Sequence, residues 1–292
     1  MKRFLKKVFL FLFILLCLLA VTLQTLSYMN VRALHDYKVD PKITTIFMGD
    51  SHVQCAINDQ LLPKSKSFAQ SAEALYFTYY KLESLLQNNP SIKKVYLGFG
   101  CHNISSHFDE FIFGEFSKDI AARYFFILPT ETKLQIIDKN KGDMITFLGN
   151  LIANGWKNKT LDKDNSLLGH YENFFTDCAA AKSSMDIRLG RQFHKNGKLR
   201  TFSDLNIVYV GKIAKLCQSK NVALVILNTP LHPYYKNKIP VEFTNEYNKV
   251  LAANKLKLYD FSALTLNDSA YVPDGDHISA KGSIQTTALF KE

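Results

Sequence analysis

Residues 44 to 55 read TTIFMGDSHVQC, a β-branched and apolar run that stops at Gly49, Asp50, Ser51 and His52. A serine carried to the end of a buried strand can act as a nucleophile if a base takes its proton and a carboxylate orients that base. The far end of the chain offers both residue types, because YVPDGDHISAKGS contains Asp274, Asp276 and His277. Serine, histidine and aspartate in these places are the set for acyl transfer through an acyl-serine. Gly49 permits a tight turn, and the backbone N–H groups just after it can point at a developing oxyanion. His52, beside the serine, and His232, in NTPLHPYY, are candidate substrate contacts. His35, His107, His170 and His194 fall in no motif.

Such residues work only if the fold brings the two ends of the chain together. KITTIFMG, KKVYLGFG, VALVILNTP and LKLYD read as strands, and between and after them AEALYFTYYKLESLLQNN, SDLNIVYVGKIAKLCQSKN, VEFTNEYNKVLAANK and SAKGSIQTTALFK read as helices. Ser203 or Asp204 is the expected cap of the second of these helices. Apolar strands alternating with helices predict an α/β fold, a three-layer α/β/α sandwich around a mainly parallel sheet. In such a sheet ligands sit outside the carboxyl ends of the strands, and both Ser51 and the Asp274–His277 segment fall there. From about 104 to 200 the alternation lapses into aromatic-rich pieces and a polar middle, which reads as a largely helical insertion forming one wall of a cleft.

The pair of motifs, GDS after the first core strand and D-x-x-H before the final helix, resembles the SGNH hydrolases, also called the GDSL esterase/lipase superfamily. The resemblance spans about residues 43 to 292, apart from the insertion, and implies their flavodoxin-like fold. It implies that Ser51 is the nucleophile, His277 the base and, by the family's spacing, Asp274 rather than Asp276 the orienting carboxylate. The middle blocks depart from the family pattern. Where a glycine normally gives an N–H to the oxyanion hole this chain has SFAQSAEAL, so that Ser71 or a neighbour must substitute. Where G-x-N-D is usual it has GFGCHNIS, which leaves the position to His102 or Asn103. The resemblance implies a serine esterase or O-acyltransferase that needs no cofactor and no metal. Its membrane-anchored members suggest an acetyl ester of cell-envelope polysaccharide as substrate, with membrane acyl-transfer machinery as a further partner. The alternatives are a lipid-ester hydrolase and a catalytically weak or inactive protein that binds or assembles envelope glycans. A metal-dependent hydrolase built on Asp50, His52, His102 and Asp274 lacks the H-x-x-x-H or H-E-x-x-H spacing.

The 292-residue chain is 47% hydrophobic and 21% charged, ordinary for one globular domain. Its first 30 residues differ. Lys2, Arg3, Lys6 and Lys7 precede an uncharged run from Val8 to Leu23, and the bulky VTLQTLSYMN that follows does not resemble a signal-peptidase site. Residues 1–30 are expected to be an uncleaved signal anchor, and residues 31–292 the folded domain, joined by a short stalk, VRALHDYKVDPK. The cation bias puts the N-terminus in the cytoplasm and the domain on the outer side of a bacterial cytoplasmic membrane. The formal charge of +10 falls to about +6 without those four cations, and the remaining lysines and arginines are scattered, which argues against a nucleic-acid partner. Cys55, Cys101, Cys178 and Cys217 form no C-x-x-C pair; one or two disulfides are compatible with an outer location.

Overall fold

The computed structural model describes residues 1–159, 161, 167–173, 175–176 and 178–290. Five parallel strands make the sheet: β1 (Thr45–Met48), β2 (Ser65–Ser67), β3 (Lys94–Gly98), β6 (Ala223–Asn228) and β7 (Lys257–Asp260). Their order is β2-β1-β3-β6-β7. Two further two-residue strands, β4 (His194–Lys195) and β5 (Lys198–Leu199), form a separate antiparallel ribbon. The short, polar β2 was not among the strands expected. Its SKS sequence has no apolar run, and it pairs only as the sheet's edge, at Thr45↔Ser65 through Phe47↔Ser67.

Alternation along each strand sorts its side chains between two cores. Ile46, Met48, Val95, Leu97 and Ile226 belong to the larger one. Helices Leu75–Asn88, Asp204–Ser219 and Val241–Ala253 contribute to it residues such as Phe77, Leu82, Val210, Ile213, Phe243 and Tyr247. Phe47, Tyr96, Val225 and Leu227 face the other way and pack with Val53, Ala56 and Tyr271. On that side lie the helices Ser51–Ala56 and Ala280–Ala288. They are joined where Asn58 N donates to Thr287 Oγ1 at 2.9 Å. The expected Ser203 cap is present, its Oγ accepting from Asn206 N at 3.0 Å.

After Ile104 the described residues carry the helices Asp109–Phe113, Ser117–Tyr124, Thr130–Lys139, Met144–Lys157 and Lys182–Phe193, with non-helical stretches between Lys157 and Lys182. At the N-terminus a single helix runs from Lys2 to Asp36 and is long and apolar enough to cross a membrane. The stalk expected around residues 31–42 is therefore helical over its first part. Leu26, Asn30 and Leu34 recur on one helix face and are buried against the domain, and Asn30 Nδ2 donates to Gly155 O at 2.8 Å. No disulfide joins the described cysteines.

Candidate active site

β1 ends at Met48, and the chain turns at Gly49, whose φ of +136° is in the region that favours glycine. Asp50 then caps the helix Ser51–Ala56 by accepting from His52 N at 3.0 Å. The turn lies close to the end of β3: a Cβ on Gly49 would stand 3.1 Å from Gly98 Cα, and one on Gly98 would stand 2.3 Å from Val53 Cγ2. Two glycines thus let the helix sit directly on β3, with Ser51 at its first position. At the other end of the chain, Val272 N donates to His277 O at 3.0 Å and Gly275 N to Val272 O at 3.0 Å. Gly275, at φ +72°, closes this loop.

Ser51 Oγ and His277 Nε2 are 2.7 Å apart. On the other side of the ring, Nδ1 is 2.7 Å from Asp274 Oδ2, and His277 N donates to Asp274 Oδ1 at 3.2 Å. A carboxylate can only accept, so Nδ1 carries the proton and Nε2 is free to take one from Ser51. Asp276 Oδ1 is also 3.2 Å from Nδ1, but it makes no aligned hydrogen bond. Burial disfavours the His277 cation, yet the charges of Asp276 and Asp274 outweigh burial and the repulsion of His52, and its pKa is raised.

Behind this line lies a second network, buried except for Arg188. His52 Nδ1 is 2.9 Å from Asp50 Oδ1, and His52 Nε2 is 3.0 Å from Asp276 Oδ2. With a carboxylate on each nitrogen both must donate, so His52 is an imidazolium. Burial works against that charge, but the two aspartates prevail and lift the pKa to about 10. Asp276 Oδ2 also accepts from Arg188 Nε and Gln192 Nε2, each at 2.8 Å. Asp50 Oδ2 accepts from His102 Nε2 at 3.0 Å and from Asn103 Nδ2 at 2.8 Å. Burial alone would raise both aspartates. The cations of His52 around Asp50 and of Arg188 around Asp276 instead hold them well below the usual carboxylate range. His102 is the neutral member: burial and the nearby His52 charge push its pKa down to about 4.

A cleft of about 300 Å³ opens over Ser51 and His277, with Ser71, His107, Phe111 and Phe175 among its walls. Of the residues singled out by sequence, Ser51, His52, Ser71, Asp274 and His277 line this cleft. His102 and Asn103 do not; they sit behind it on Asp50. His232 is also elsewhere: its Nδ1 accepts from Tyr234 N at 3.1 Å, its Nε2 lies 3.2 Å from Asp268 Oδ1, and its backbone N donates to Gly275 O at 2.8 Å. Sequence reasoning passed over Arg188 and Gln192. Both are on one face of the helix Lys182–Phe193, four residues apart, and nothing local marks them as partners of an aspartate 88 and 84 residues further on. The loop bearing Ser71 is held by another unforeseen cluster. Buried Lys81 Nζ donates to Glu73 Oε2 at 2.5 Å, to Phe68 O at 2.7 Å and to Leu168 O at 3.0 Å.

Asp50, His52 and His102 form one group, and His52, Asp276 and His277 another, whose ligand atoms all lie within 4.8 Å of one another. An imidazolium donating through both nitrogens has no lone pair for a metal, so His52 fits neither group as a ligand while both aspartates are ionised.

No protein-family model matches the chain, and no curated protein matches it. Among solved structures it is similar to a GDSL-like lipase from Bacteroides thetaiotaomicron, at 11% identity over 86% of this chain and 87% of that one, with a TM-score of 0.37. At that score the likeness bears on no residue's role.

Proposed function

We propose that the protein is a serine esterase or O-acyltransferase of the SGNH type, working through an acyl-Ser51 intermediate. The observation that carries this reading is the Asp274–His277–Ser51 line, with 2.7 Å at each link, at the floor of an open cleft. Ser51 Oγ attacks the acyl carbonyl while His277 Nε2 takes its proton. His277 then gives that proton to the departing alkoxide oxygen, leaving the acyl group on Ser51. A water or a second hydroxyl, deprotonated in turn by His277, takes the acyl group and frees the serine.

The oxyanion donors in this reading are the backbone N–H groups of Ser51 and Ala72. Both residues line the cleft, and among the described residues neither N–H is engaged by an acceptor. Ala72 has φ +60°, an unusual value for a residue with a side chain. His102 and Asn103 serve instead to hold Asp50. The proposed substrate is a short acyl, chiefly acetyl, ester of a cell-envelope polysaccharide, which suits a cleft near the lower end of ligand-pocket sizes. The anchor would hold the domain on the outer face of a bacterial cytoplasmic membrane, within reach of acyl-transfer machinery there.

The test is a fluorophosphonate probe on the full-length protein in detergent, with the adduct located by peptide mass spectrometry. An adduct on Ser51 that disappears in His277→Ala supports the reading. A well-folded protein that never labels at Ser51 would sink it.

A further inference from the structure

We propose that the exposed face of the helix Met144–Lys157 lies in the membrane interface beside the N-terminal anchor, so that the cleft end of the domain faces the bilayer. This rests on the anchor helix and its contacts, not on the chemistry assigned to Ser51.

The direction of the anchor is set by its contacts. Its C-terminal end meets the far end of the helix Leu75–Asn88, where Lys38 Nζ donates to Asn88 O at 2.7 Å and Val39 N to Asn89 Oδ1 at 2.8 Å. At Leu26, earlier in the same segment, the contacts lie at the near end of that helix, the end that follows Ser71 and Ala72. Leu26 packs at Gly155, where a Cβ would come within 3.3 Å of Leu26 Cβ and 2.6 Å of Phe126 Cε2. Tyr124, close by in sequence to Phe126, stacks on Phe77 with 4.4 Å between ring centroids. The anchor therefore leaves the domain on the side of the cleft, not on the side of the strands' amino ends.

A short bonded path joins the exit point to the cleft wall. Asn30 Nδ2 donates to Gly155 O at 2.8 Å, Asn158 Nδ2 to Arg123 O at 3.1 Å, and Arg123 Nη1 to Ser71 O at 2.8 Å. At ~1.5 Å per residue the stretch from Val8 to Leu26 covers roughly 27 Å, close to the ~30 Å of a hydrocarbon core. Tyr28, 61% exposed, then falls at the headgroup level where aromatic belts form. Gly155 is fixed to that same level by Asn30.

The helix beside it is built for such a place. Ile145, Ile152 and Trp156 are 89%, 37% and 59% exposed, and their spacing of seven and four residues puts them on one face. Lys159 Nζ lies over the Trp156 ring at 3.8 Å from its centroid, Lys139 and Lys141 precede the helix, and Lys157 ends it. Apolar side chains and a tryptophan edged by lysines suit the boundary of an anionic bilayer.

Trp156 is the chain's single tryptophan, so its emission reports this site alone. The full-length protein is placed in nanodiscs of phosphatidylcholine and phosphatidylglycerol, with and without bromine on the upper part of the acyl chains. Expected is a twofold or greater loss of Trp156 emission with the brominated lipid and little quenching by iodide. Emission quenched by iodide and indifferent to brominated lipid would overturn the proposal. The double variant Trp156→Phe/Lys220→Trp, with its indole just before β6 at the opposite end of the sheet, is expected to give the reverse pattern. Brominated-lipid quenching of that variant would overturn the orientation.

Discussion

His52 stacks on His277, with 4.5 Å between ring centroids and 21° between ring planes. The candidate base of the site is thus pressed against a ring that two carboxylates hold as a cation. A fixed positive charge at that distance opposes a second one on His277, and Asp274 and Asp276 offset it. The balance among these four groups decides when His277 is a free base.

Removing one carboxylate measures that balance. Asp274→Asn takes away the acceptor that fixes the His277 tautomer, a change worth roughly 10⁴-fold in kcat in a serine triad. Asp276 Oδ1, 3.2 Å from the same nitrogen, is a partial stand-in, so a smaller loss is expected here. Hydrolysis of a chromogenic acetyl ester, compared among wild type, Asp274→Asn and Ser51→Ala, checks this. Undiminished turnover in Asp274→Asn would remove that residue from the role.

The pH profile follows from the sign of the His277 shift. The base must be neutral to accept a proton, and its pKa is raised above 6.5. Activity should therefore fall as pH drops through a midpoint above 6.5. In Asp274→Asn, with one raising charge gone, the midpoint should move to lower pH. A wild-type acid limb centred below 6 would contradict the arrangement of charges.

His52 predicts a separate, structural pH dependence. Its pKa is raised from 6.5 to about 10 in the fold, so its contribution to stability is fully present below pH 6.5 and is lost as pH rises toward 10. His52→Gln should melt well below wild type at pH 6, and the gap should narrow steadily up to pH 10. Asp276→Asn leaves the buried His52 with Asp50 alone and the partly exposed Arg188 without its anion, and is expected to cost about 3–5 kcal/mol at neutral pH. Equal melting temperatures for His52→Gln and wild type at pH 6 would refute the imidazolium assignment.

Gly98→Ala tests how closely the serine's helix sits on β3. The added Cβ would meet Val53 Cγ2 at 2.3 Å, and overpacking of this kind typically costs about 1–3 kcal/mol. Because Val53 is two residues from Ser51, the shift should also slow probe labelling of Ser51. A variant that both melts and labels like wild type would mean the helix has room to move.

Much of the α/β framework was legible because buried parallel strands announce themselves as apolar runs: VALVILN and TTIFM needed no context. β2 was not, since an edge strand of Ser65, Lys66 and Ser67 is held by β1's hydrogen bonds, not by its own burial. The helical insertion was legible from the loss of alternation alone. The continuation of the N-terminal helix against the domain was hidden, because Leu26, Asn30 and Leu34 mark a buried face only once the helices they meet are known. At the candidate site, Ser51, Asp274 and His277 stood out through their position at opposite ends of the chain. His102 and Asn103 also stood out, yet they bond Asp50 and not the cleft. What a side chain reaches depends on the backbone turn beneath it, and the turn at Gly100 is set by Asn103 Oδ1 accepting from Gly100 N at 2.8 Å.

Ser51 and His277 are 226 residues apart in the chain. A ribosome therefore makes the serine long before the histidine. On the role proposed for His277, a nascent chain that has not yet reached that residue could not activate Ser51, however well its first strands had folded. If the N-terminal helix is a membrane anchor that delivers the domain as it is made, the two residues would meet only after His277 had crossed as well.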